Sequence, residues 1–122
     1  MALAKNIMGG GFSAGQARAI NGAIASAVSA AGTVITDATD LLADINLIST
    51  VGASSGVQLA NAEVGDSQIV YNGGANTLKV YPDTSSNQIN QIAAGGAHLL
   101  AINTACVYYK LSTTHWVALL SA

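Results

Sequence analysis

The stretch SQIVYNGGANTLKVYP, residues 67–82, decides how this chain is read. Two apolar runs, IVY at 69–71 and LKVY at 78–81, flank a loop around Gly73 and Gly74. β-Branched and aromatic residues mark strands, and a glycine-rich break between two such runs signals a hairpin. Pro82 has no amide donor and ends the second run. The spacing therefore predicts a β-hairpin.

The same pattern extends outward from Asp37 to the end of the chain. ADINLIST (43–50) places Ile45, Leu47 and Ser49 on one face and Asn46, Ile48 and Thr50 on the other. GVQLAN (56–61), AHLLAI (97–102), ACVYYKLS (105–112) and HWVALLS (115–121) read as further strands, with a turn at Val64, Gly65 and Asp66 and a polar loop DTSSNQINQIAAGG at 83–96. About seven strands at roughly 8–12-residue spacing fit a small antiparallel β-sandwich or barrel. No βαβ alternation and no internal repeat is visible. The expected fold is mainly β, with a knob at 37–122 preceded by an extended arm and a short α-helix in residues 1–36.

The arm is residues 1–12. Gly9, Gly10 and Gly11 permit close backbone approach to another surface, and Ile7, Met8 and Phe12 are apolar anchors around them. Flexible linkers seldom carry such side chains. Ser13 followed by Gln16 fits a capping box and opens a helix expected over 14–30. Ala17, Ile20, Ile24, Ala27 and Ala31 follow heptad spacing, with Val28 beside them. A helix this short is marginal alone. Ile20, Ile24 and Val28 are therefore expected to pack either on symmetry mates or on the chain's own knob.

Composition bounds the function. Leu, Ile, Val and Phe number 31 of 122 residues, enough for one folded core. Only 8% of the residues are Asp, Glu, Lys or Arg, against about 25% in an ordinary soluble domain. Ser, Thr and Asn number 29 and make up part of that deficit, as they would on a polar-coated extracellular monomer. A surface so poor in charge nevertheless points to one covered by other copies or by a partner. A net charge of −2 gives no nucleic-acid footprint. No run of 18 apolar residues marks a transmembrane helix. AINGAIASAVSAAG has the look of a signal core, but it follows a Gly-rich segment and is expected to be retained.

No catalytic or metal constellation is legible, and no cofactor is expected. Asp37, Asp40 and Asp44 lack the glycine and terminal acid of a calcium loop and read as turn and cap residues. Asp66 is expected to accept a backbone amide in its turn. His98, Cys106 and His115 match no zinc spacing. Cys106 reads as a small core residue and both histidines as strand-end surface or interface residues. Tyr108 and Tyr109 must point to opposite faces of one strand, and Trp116 is expected to plug the core. No nucleophile–base pair can be assembled, so an enzyme is not expected.

The knob's wording resembles a group of small tailed-phage virion proteins. The shared pattern is V-G-D, an apolar strand, N-x-G-A-N-x-L-x-V-Y-P, a polar loop with I-N, a Gly-rich segment and a closing W-x-A; the start IMGGGFSAGQARAINGAIA is also similar. The resemblance implies a trimeric capsid decoration (cement) protein on the outer surface of the virion, made in the host bacterial cytoplasm. Its partners would be the major capsid protein and itself, without nucleic acid or membrane. Lys5, Asn6, Ile7, Met8, Gly9, Gly10, Gly11, Phe12 and Arg18 would then bind the capsid, and Ile20, Ile24 and Val28 would form the oligomer interface. The alternatives are a head or tail fibre module that recognises a host-surface glycan, and a free carbohydrate-binding module.

Overall fold

The computed structural model describes residues 23–121. These form ten strands: β1 Ile24–Ser29, β2 Thr39–Asp40, β3 Ile45–Thr50, β4 Gly56–Gln58, β5 Ser67–Asn72, β6 Leu78–Tyr81, β7 Gln88–Ile89, β8 His98–Leu100, β9 Ala105–Ser112 and β10 His115–Leu120. The mainly β expectation holds. β9 coincides with ACVYYKLS, and β6 ends at Tyr81, immediately before Pro82, as expected.

The antiparallel arrangement does not hold. Successive strands cross between two sheets, a large one ordered β1-β3-β5-β9-β10-β7 and a small one ordered β2-β4-β6-β8. β1, β3 and β5 stack in parallel, and so do β2, β4 and β6. Residues 24–81 thus wind through three solenoid-like coils. The direction then reverses: β8 pairs antiparallel with β6, and β9 antiparallel with β5. β10 returns beside β9, and the two-residue β7 closes the far edge.

The expected hairpin is the clearest correction. β5 and β6 lie in different sheets and do not pair with each other. A tight two-residue hairpin of the favoured type needs positive φ at both central residues, and neither Gly73 nor Gly74 has it. The glycines serve close packing instead. A Cβ on Gly74 would lie 2.5 Å from Val51 Cγ2 and 2.8 Å from the Val51 backbone nitrogen. Gly74 is where the corner of the third coil rests on the corner of the second. Gly73 N–H donates to Ile48 C=O at 2.8 Å, and Asn76 Nδ2 donates to Val51 C=O at 2.8 Å. Asn72 donates to the carbonyls of Asn76 and Leu100 and accepts from Gly74 N–H. Side-chain amides thus replace the backbone partners that a corner cannot supply.

The expected helix is corrected where it is described. Residues 24–29 are strand β1, paired in parallel with β3 from Ile24↔Ile45 onward. The ladder offers this segment a backbone partner for each turn it forgoes, and Ile24 and Val28 are β-branched residues suited to it. Val28 turns inward and packs on the core. The remainder of the expected helix, including Ile20, lies outside the described residues, as does the arm with Lys5, Asn6, Ile7, Met8, Gly9, Gly10, Gly11, Phe12 and Arg18.

One core lies between the sheets. The large sheet contributes Ile48, Val70, Cys106, Tyr108, Trp116 and Ile89; the small sheet contributes Val57, Leu78, Val80 and Leu100. Cys106 and Trp116 are buried as expected, and Tyr108 is buried while Tyr109 on the opposite face is exposed.

Candidate functional site

Two features stand out, one on the surface and one beneath it. The first is the outer face of the large sheet. Alternation along β5 buries Gln68, Val70 and Asn72 and turns Ser67, Ile69 and Tyr71 outward. Pairing register then sets apolar neighbours side by side. Ile24, Ile45, Ile69, Val107 and Leu119 form one row across β1, β3, β5, β9 and β10. At about 4.8 Å between strands that row is about 19 Å long. Leu47 and Tyr71 are paired beside it, and Tyr109 and Val117 on its other flank. None of these nine residues is charged. Ile24, Leu47, Tyr109 and Leu119 are exposed, Ile24 at 65% and Leu119 at 56%, while Ile45, Ile69, Tyr71, Val107 and Val117 between them are half-buried, so the apolar face stays in contact with water.

The second feature is a buried polar cluster at the end of the core. Asp83 Oδ2 accepts from Lys110 Nζ at 2.6 Å, and both side chains are almost wholly buried. Asp83 Oδ1 accepts from Asn87 Nδ2 at 2.7 Å and from Trp116 Nε1 at 2.9 Å. Lys110 Nζ also donates to Ala62 C=O at 2.8 Å and lies 5.7 Å from the centre of the Trp116 ring. Burial works to raise the Asp83 carboxyl. The hydrogen bonds from Lys110, Trp116 and Asn87 and the Lys110 charge outweigh it and hold that carboxyl below its usual range. Neither Asp83 nor Lys110 was singled out by motif. The signal that marks Lys110 is parity: in β9 it is in phase with Cys106 and Tyr108, so it must point inward and find an acid there.

Two shallow cavities, of about 240 and 290 Å³, flank the exposed Leu42 side chain. Asp44 and Asp66 line the first, and both carboxylates are already engaged: Asp44 accepts from Ala23 N–H at 2.9 Å and Asp66 from Glu63 N–H at 3.0 Å. The Asp66 turn matches its expectation, with Gly65 at φ 96°. Among the described residues no three or more His, Cys, Asp or Glu side chains come together in a metal-binding group.

His98 and His115 open β8 and β10, as strand-end residues. His98 is more committed than the sequence suggests. Its Nδ1 lies 2.8 Å from the Tyr108 hydroxyl, and the two rings meet edge to face at 5.6 Å. Burial lowers the affinity of His98 for a proton from the ordinary value of 6.5. The unfolded chain therefore takes up that proton first as the pH drops below 6.5, and stability declines until folded His98 is itself protonated. Urea unfolding at stepped pH is expected to show this decline, and His98→Gln to flatten it.

No family model, curated protein or solved structure matches this chain.

Proposed function

We propose that this chain is a structural, non-enzymatic virion protein of a tailed bacteriophage: a trimeric capsid decoration protein that holds the major capsid protein lattice through its N-terminal arm and stabilises the head. The observation that carries the reading is the uncharged outer face of the large sheet, in a chain of which 8% is charged. An extensive apolar face on a small domain suits a surface covered in its working state. Packing these faces together would make the trimer, and the stacked sheets would serve as the sandwich-like knob standing above the shell. Three arms then bind at high effective concentration, so each contact can be weak. The motif pattern around N-x-G-A-N-x-L-x-V-Y-P supports the same assignment by resemblance.

Sedimentation and particle imaging test it together. The full chain is expected to sediment as a trimer, and Ile69→Lys, which puts a charge in the middle of the apolar row, to sediment as a folded monomer. Deleting residues 1–12 is expected to leave the trimer intact and abolish binding to capsids. Unchanged capsid occupancy without the arm would refute the anchoring role. Tyr71 and Tyr109 on the same face also suit a receptor-binding fibre module that recognises host glycan. A few copies at the tail, in place of many over the head, would favour that alternative.

A further inference from the structure

The carboxylate of Asp83 holds an amine and a carboxamide at once. Lys110 Nζ is on one oxygen at 2.6 Å and Asn87 Nδ2 on the other at 2.7 Å. An ionised carboxylate only accepts, so the nitrogen of Asn87 and not its oxygen faces Asp83. Lys110, Asn87 and Asp83 are 6%, 5% and 8% exposed, and Trp116 beside them is wholly buried. The site is thus nearly closed to the water that would otherwise compete for an acyl group. Ala62 C=O and the Trp116 ring fix the lysine end, while Trp116 Nε1 fixes the carboxylate.

We propose that Lys110 and Asn87 become joined by an intramolecular isopeptide bond, with Asp83 carrying the protons. One proton moves along the short hydrogen bond from the Lys110 ammonium to Asp83 Oδ2, leaving a neutral amine and a carboxylic acid. The hydrogen bonds and the Lys110 charge keep Asp83 ionised at rest, so the neutral pair is the minor form, and burial of both groups lessens the cost of reaching it. The freed Nζ lone pair adds to Cγ of Asn87. Asp83 delivers its proton to Nδ2, and the Cγ–Nδ2 bond breaks. The new amide nitrogen returns its surplus proton to Asp83. The products are one secondary amide, one ammonia and a protonated Asp83; nothing is oxidised or reduced. The bond closes a covalent ring through residues 87–110, which limits the unfolded chain much as a disulfide would. This inference does not depend on the virion assignment.

The test is the intact mass of the folded full-length chain, followed by proteolysis and fragmentation. The expected mass is one ammonia below that of the sequence, with a branched peptide joining the segments that hold Asn87 and Lys110. Asn72 precedes Gly73 and can also lose ammonia by closing on the next backbone nitrogen. That product leaves Lys110 unlinked, and if it accounts for the whole loss the proposal is overturned. A chain of full mass overturns it as well. A chain one water lighter, linked from Lys110 to Asp83, refutes Asn87 as the acyl donor. Asn87→Ala and Lys110→Arg are each expected to restore full mass. The wild-type mass decides the matter even where a variant does not fold.

Discussion

Replacing Asp83 by alanine is expected to lower the unfolding free energy by about 3–5 kcal/mol. The reason is what the substitution leaves behind. Lys110 Nζ would keep only Ala62 C=O as its partner, in a site where its side chain is 6% exposed. Asn87 Nδ2 and Trp116 Nε1 would each lose their acceptor as well. Buried donors without partners cost more than the hydrogen bonds themselves contribute, since they still lose their hydration. The same variant removes the group proposed to carry protons between Lys110 and Asn87. Chemical unfolding monitored by Trp116 fluorescence measures the effect directly. A paired replacement, Asp83→Leu with Lys110→Met, is expected to recover a large part of the loss, because it removes the stranded charge along with its partner. If Asp83→Ala unfolded at the wild-type midpoint, the cluster would have no part in stability. A domain of this size has only about 5–15 kcal/mol in total, so the predicted loss is a substantial share.

Trp116→Ala is expected to cost a similar amount, about 3–5 kcal/mol. Trp116 is the largest wholly buried side chain and sits in β10 between the paired strands β7 and β9. Its removal opens a cavity that the surrounding β-ladders cannot close without breaking register. It also takes one of three donors from Asp83. Trp116→Phe separates the two contributions: it keeps most of the apolar volume and loses only the indole N–H. Its expected loss is about 1–3 kcal/mol, that of one hydrogen bond to a charged group. Thermal unfolding of both variants checks the ordering. Equal losses in Phe and Ala would show that the hydrogen bond, and not the packing, dominates.

The strands were legible because period two survives wherever one face is buried. β3, β5 and β9 show it most clearly, and alternation set Tyr108 and Tyr109 on opposite faces, of which the structure buries Tyr108. The turn at Asp66 was legible too, from a glycine followed by a carboxylate. Residues 24–29 were misread because small residues with Ile24 and Val28 satisfy a heptad and a strand equally well. The choice between them is made by whether β3 is there to pair with. The Gly73–Gly74 signal misled for a related reason. Glycine marks either a positive φ or a close approach, and only the position of Val51 shows that the close approach is the use made of it here. The outer apolar row was not legible at all. Ile24, Ile45, Ile69, Val107 and Leu119 become neighbours through register, and register is absent from the linear order.

By itself the sequence determined that this is a β-rich chain with one core, that residues along a strand divide between two faces, and that little of its surface carries charge. These follow from side-chain alternation and composition, which are local or additive. Tertiary structure alone decided that the strands wind in parallel coils, that Asp83 meets Lys110 across 27 positions, and that the apolar residues left outside join into one face. Those outcomes depend on which strand lies beside which. That choice is made by the packing of corners such as Gly74 on Val51 and by the need of one buried lysine for an acid, and no short stretch of sequence contains both partners.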